Sequence, residues 1–205
     1  MKNKISIIFV IFLQVFFTET LLSQEIEFNA SNIEILNEKE LTIANDAEAL
    51  IKTDGIKVKG LVIKYFKSKS LLIVENGKIS KIENNLEINA NQIKYEINNS
   101  KLTLDNKIKI KDKQNNIIIN SDKIIYDIKN EKIIGLDESE ILDNLGNIYL
   151  VKEFEYSLKN KIIKLDKLKV FDKEKNLFKL DFGFLDLNRK ELLAKDVSLD
   201  FKILE

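Results

Sequence analysis

From Ile26 onward, apolar and polar residues alternate with period two, and the alternation is organised into a phrase that returns six times: IEFNASNIEI, IKVKGLVIKY, LEINANQIKY, IIINSDKIIY, NIYLVKEFEY and FKLDFGFLDL. Its first, third, eighth and tenth places are apolar with few exceptions. The tenth place falls at Ile35, Tyr65, Tyr95, Tyr126, Tyr156 and Leu187, in steps of 30, 30, 31, 30 and 31 residues. Such fixed-period self-similarity signifies stacked supersecondary units. Within a unit the pattern is that of strands with one buried face: Leu86, Ile88 and Ala90 share one parity, and Ile93, Tyr95 and Ile97 the other. The fifth place, where parity changes, is small at Ala30, Gly60, Ala90 and Ser121, as a bend or bulge requires.

Further apolar pairs, such as Leu71 with Ile73 and Leu102 with Leu104, predict about three short strands per unit. Turns are expected at Asp54-Gly55, Asn76-Gly77, Asn98-Asn99, Lys159-Asn160 and Asn188-Arg189, and short connections favour antiparallel neighbours. The predicted fold is therefore all-β, an antiparallel meander of about 30-residue repeats. With no helix to cover its apolar face, the sheet must fold over on itself as a sandwich, an open β-jelly roll or a V-shaped trough. A closed membrane barrel is disfavoured, because its strands need ~9–11 residues and an apolar outer band, whereas these are expected to be shorter and carry lysines.

The N-terminus reads differently. Lys2 and Lys4 precede a 13-residue apolar run, Ile5 to Phe17, broken only by Gln14. That is the length of a secretory signal, short of the ~20 residues of a spanning helix. The expected organisation is a signal peptide at 1–23 and one β domain at 24–205, exported to the periplasm. No cysteine follows the apolar run, so a lipid-modified N-terminus is excluded.

Composition removes most chemistry. The chain has no cysteine, histidine, proline or tryptophan, so thiolates, imidazole bases and the usual zinc ligands are absent. Basic and acidic residues balance at 33 each, which disfavours a nucleic-acid partner. The carboxylates Asp137, Glu138 and Glu140, like Asp172 and Glu174, fall where solvated turns are expected. Asp143 to Asn147 lacks the acidic spacing of a calcium loop and reads as a plain turn. Lys107, Lys109 and Lys111 lie on one face of a strand, as in an edge strand guarded by lysine or, alternatively, a surface for phosphate. No enzyme activity and no cofactor are expected.

The strongest remaining signal is the pair of columns at the eighth and tenth places. Ile63, Tyr65, Ile93, Tyr95, Ile124, Tyr126, Phe154 and Tyr156 recur one unit apart on one face. They either fill a core or, if the sheet stays open as a trough, offer a continuous stripe to acyl chains with tyrosine hydroxyls toward the wet rim. The first strand, around Phe28, Ile33 and Ile35, would present an unpaired edge to which another chain can add.

Segments 75–104 (ENGKISKIENNLEINANQIKYEINNSKLTL) and 105–135 carry these repeats in a form that resembles the OstA/LptA family of lipopolysaccharide-transport domains. The family's recurring phrase appears here as Asn76-Gly77-Lys78-Ile79, Asn89-Ala90-Asn91 and Tyr95, and again as Asn120-Ser121-Asp122 and Tyr126, with Gly-Asn-Val intact nowhere. The ending ELLAKDVSLDFK is similar to the periplasmic N-terminal domain of LptD, an outer-membrane lipopolysaccharide-assembly protein. The resemblance implies a β-jelly-roll trough that passes lipopolysaccharide by its lipid part and docks edge to edge with similar domains and the outer-membrane assembly machinery. It implies neither catalysis nor a cofactor. A strand pattern running up to Glu205 is what a fragment of a longer barrel protein would show; a stand-alone bridge similar to LptA and an anchored relative similar to LptC are the alternatives. A structural or adhesive exported repeat protein with no lipid path is the rival reading.

Overall fold

Alternation without proline lets each strand run far. In the computed structural model, which describes residues 26–81 and 85–200, ten strands are 10–12 residues long: β3 (Leu41–Ile51), β4 (Ile56–Phe66), β5 (Leu71–Lys81), β6 (Leu86–Glu96), β7 (Lys101–Asp112), β8 (Ile117–Asp127), β11 (Ile148–Ser157), β12 (Ile162–Phe171), β13 (Leu177–Asp186) and β14 (Glu191–Asp200). Four shorter ones, β1 (Ile26–Asn29), β2 (Asn32–Leu36), β9 (Lys132–Gly135) and β10 (Ser139–Leu142), behave as two broken strands. All fourteen form one antiparallel sheet in sequence order, with β1 and β2 both on β3, and β9 and β10 both between β8 and β11. The predicted all-β meander is thus observed. The only helical elements among the described residues are three-residue 3-10 turns at strand connections. The expected signal segment lies outside those residues.

The count of three short strands per unit is corrected to two long ones. Each long strand is interrupted at mid-length without losing its partners. Asp46, Asn76, Lys167 and Asp196, together with the pair Asn106 and Lys107, adopt positive φ at these places, and the ladder resumes beyond them. In β5 the buried residues are Leu72 and Val74 before the interruption, then Gly77, Ile79 and Lys81 after it. A one-residue slip turns side chains to the opposite face, so this change of parity works with the bend to return both halves to one core. Asn76-Gly77 is accordingly the middle of a strand and not a turn. Asparagine tolerates the left-handed region in either setting, and pairing on both sides decides between them. The strand lengths also remove length as an argument against a membrane barrel; what distinguishes this sheet is that its apolar face is turned inward onto a core.

The line of interruptions is a waist that divides the sheet into two layers. Layer one holds, among others, 41–45, 62–66, 92–96, 123–127 and 153–157; layer two holds 47–51, 56–59, 86–89, 117–121 and 148–151. One continuous core cluster extends between Ala44 and Leu185. Hairpins close with a left-handed last residue, Gly55 in one and Ser70, Ser100, Glu131, Lys161 and Lys190 in others, the geometry of turns that lead into a bulged hairpin.

Candidate functional site

The eighth-place residues of the first five units become one uninterrupted row across the interior of layer one; in the sixth unit the register is offset by two, so that Gly183 takes this place and the eighth-place Leu185 falls in the neighbouring row. Following the register from partner to partner, it runs Ile33, Ala44, Ile63, Val74, Ile93, Leu104, Ile124, Gly135, Phe154, Leu165, Gly183, Ala194. The tenth-place row beside it runs Ile35, Thr42, Tyr65, Leu72, Tyr95, Leu102, Tyr126, Ile133, Tyr156, Ile163, Leu185, Leu192. At ~4.8 Å between strands the rows extend roughly 50 Å. The sequence columns supply alternate members as far as Phe154 and Tyr156; the return strands supply the residues between them, such as Val74, Leu104, Leu72 and Leu102, which the phrase did not single out. Two glycines allow the side chains to lie close. A Cβ on Gly77 would collide with Ile93, and one on Gly135 with the Phe154 ring.

Ile63, Ile93, Tyr95, Ile124, Tyr126 and Tyr156 are 0–1% exposed and Phe154 is 3% exposed. Tyr65 is half-buried, with its ring 6.2 Å from that of Phe28. At the N-terminal end, Ile33 and Ile35 are 44% and 60% exposed and continue the two rows onto the surface; toward the other end, Val197 of layer two, opposite the buried Leu180, is 54% exposed.

Along the mouth, opposite the waist, turns of layer two meet residues of layer one through polar clasps. Asp54, in the β3–β4 turn, accepts a hydrogen bond from the Tyr95 hydroxyl and another from Ser100 Oγ at 3.0 Å. Lys81, at the layer-two end of β5, pairs with Glu131 of the layer-one turn after β8, at 3.6 Å. Asp112, at the layer-two end of β7, accepts the Tyr156 hydroxyl at 2.5 Å. Asn115 Nδ2 donates to the same phenol oxygen at 3.0 Å and to Asp112 at 2.7 Å. Two tyrosine hydroxyls, those of Tyr95 and Tyr156, are thus received by carboxylates at the mouth. Tyr126 differs: its hydroxyl is buried with no hydrogen-bond partner among the described residues.

Burial first, and then the adjoining Asp54 or Asp112 carboxylate, pushes the Tyr95 and Tyr156 phenols far above their ordinary range. Tyr126 is raised by burial and by the charges of Glu131, Asp54 and Asp127. All three phenols are neutral at any physiological pH.

Two of the carboxylates considered as possible chemistry, Asp143 and Asp172, have structural tasks. Asp143 accepts the backbone N–H groups of Leu145 and Asn147 and the Tyr149 hydroxyl, which organises a turn. Asp172 does the same for Glu174 and Asn176. Among the described residues no group of three or more candidate ligands could hold a metal ion.

No protein-family model matches the chain, and no curated protein is significantly similar to it. A solved structure is. LptH of Pseudomonas aeruginosa, described as the LptA-homologous periplasmic component of the conserved lipopolysaccharide transport device, aligns over 70% of this chain and 82% of its own, at 10% identity and a TM-score of 0.29.

Proposed function

We propose that this chain is a periplasmic lipopolysaccharide-transport domain, which holds the lipid part of its cargo along the two apolar rows and passes it toward the outer membrane. The observation that supports this most is the continuity of the rows: the same apolar surface repeats at every strand, and at the N-terminal end it emerges onto solvent at Ile33 and Ile35. Burial of methylenes contributes ~0.8 kcal/mol each. A repeated surface provides this at each step without a deep minimum that would stop passage. In the closed form Ile63, Ile93, Tyr95, Ile124, Tyr126, Phe154 and Tyr156 fill the interior themselves, so entry requires the clasped rims to part. The exposed edge of β2, with Ile33 and Ile35 and next to Phe28 of β1, is the proposed docking edge for a similar domain.

A second reading, a structural or adhesive exported repeat protein, is favoured by one observation, the burial of the central members of both rows. A photo-crosslinker at Ile93 or Tyr95 separates the two in cells. Lipopolysaccharide adducts are expected of a path; adducts to the protein alone, with normal folding, support the structural reading. Proline at hydrogen-bonding positions of β2 should block assembly with a neighbouring domain while the sheet still forms.

A further inference from the structure

The interior rows use only one face of the sheet. On the outward face of layer two there is a cleft of about 820 Å³. A single register row crosses it: Lys109 lies opposite Asn120, Asn120 opposite Glu140, Glu140 opposite Leu150, and Leu150 opposite Lys169. At the waist the cleft is bounded by Lys107 and Lys167, left-handed residues at the interruptions of β7 and β12, and by Lys152 of β11. Two lysines on β7 therefore face two on β12 across four strand spacings, roughly 19 Å at ~4.8 Å each. The strand bearing Lys107, Lys109 and Lys111 is not the guarded edge that alternation alone suggests, because β7 is paired on both sides, with β6 and β8.

Elsewhere on the sheet surface several lysines are neutralised by their neighbours. Lys57 and Lys59 share Glu48, and Lys132 and Lys164 share Glu155. Among the described residues the five cleft lysines form no such pair, although carboxylates lie in the same cleft. Two of those carboxylates are otherwise engaged: Asp122 accepts the Lys107 backbone N–H at 2.9 Å, and Glu140 accepts the Asn120 side-chain amide at 2.9 Å. Ammonium groups gathered in a concavity repel one another, so an occupant has to bring negative charge to both walls.

The floor restricts the occupant further. Asn120 and Glu140 offer amide and carboxylate partners suited to hydroxyl groups, and Leu150, 39% exposed, offers a small apolar patch suited to the C–H face of a sugar ring. A peptide cannot add here as a strand, because β7, β8, β10, β11 and β12 are interior strands with both edges paired, and the floor carboxylates repel an acidic side chain. A flat anionic membrane does not reach the floor of a cleft.

We propose that this cleft binds a short anionic saccharide, a few rings long, with a phosphate, sulfate or carboxylate toward each end held by the β7 and β12 lysines and its hydroxyls read by Asn120 and Glu140. The site is independent of the lipid reading, since the cleft and the apolar rows lie on opposite faces of the sheet.

Titration of the purified chain with maltotetraose sulfated on its two terminal rings tests it, with unmodified maltotetraose as the uncharged probe and hexaglutamate as the peptide probe. Saturable binding of the sulfated probe alone is expected, together with at least about a tenfold loss in the double variant Lys109→Gln/Lys169→Gln, which removes one charge-assisted contact from each wall. The variant Lys57→Gln/Lys59→Gln, on the same outward face, should bind as the parent does. Both double variants alter lysines on the sheet surface, and circular dichroism checks that each retains the parent's β signal. Equal losses in both variants would reveal attraction to surface charge in general and overturn the proposal. Equal affinity for hexaglutamate, or no saturable binding of the sulfated probe, would also overturn it.

Discussion

Tyr95 and Tyr156 share their place in the repeat with Tyr126, and all three are buried to the same degree. Their hydroxyls nevertheless meet different surroundings. Tyr95 and Tyr156 are each received by a carboxylate at the mouth of layer two, Asp54 in a turn and Asp112 at the end of β7, 41 and 44 residues earlier in the chain, whereas the Tyr126 hydroxyl between them has no partner among the described residues. The mouth near Tyr126 is bridged by the Lys81–Glu131 ion pair instead. A sequence repeat thus fixes where each tyrosine stands on the sheet. Whether its hydroxyl is satisfied depends on a turn of another repeat, brought opposite by the folding of the sheet. A buried hydroxyl with no partner costs ~1–3 kcal/mol relative to a satisfied one, so the middle of the seam is its weakest polar stretch.

The largest effect is expected from removing a receiving carboxylate. Asp112→Ala leaves the Tyr156 hydroxyl and the Gln114 and Asn115 N–H groups without their acceptor, and the predicted loss is about 3 kcal/mol. It should register as a lower urea midpoint with an unchanged slope.

Hydroxyl deletion at the three equivalent places sharpens the contrast directly. Tyr95→Phe and Tyr156→Phe are expected to destabilise by ~1–2 kcal/mol each, while Tyr126→Phe, which removes an unsatisfied group, should be neutral or stabilising by up to ~1 kcal/mol. Equal losses at all three would mean that Tyr126 acquires a partner in solution, and the contrast would disappear.

The smallest effect appears only in alkali. All five tyrosines are held above their ordinary range, first by burial. A group whose folded pKa is raised stabilises the fold fully below its unfolded value, near 10 for tyrosine, and loses that contribution as pH rises above it. Phenolate absorbance should therefore lag behind that of free tyrosine near pH 10 and then rise together with loss of the β signal. Tyr126→Phe should shift this transition less than Tyr95→Phe.

What could be read from the chain, and what could not, divides along the same line. Strand character, repeat length and the bend at the fifth place were legible because they are local: alternation reports a buried face, and its change of parity between Ala90 and Ile93 marks an interruption. Strand number was misjudged because an interruption resembles an end until pairing is known on both sides; Asn76-Gly77 has the residues of a turn and the neighbours of a strand. The Lys107–Lys111 run looked like an edge for the same reason, since the identity of a strand's neighbours is not written in the strand.

By itself, the sequence determined an antiparallel meander with two apolar columns, because period-two alternation and a repeat of 30 or 31 residues allow few other arrangements. Only the tertiary structure decided that the return strands complete those columns into rows, that Asp54 meets Tyr95, Asp112 meets Tyr156 and Lys81 meets Glu131, and that the lysines of β7 and β12 face one another across a cleft. The clasps and the facing lysines are relations between residues 41 to 60 positions apart. They are set by how far the sheet twists and folds across its waist, and that distance is fixed by the packing of the whole core and not by any segment alone.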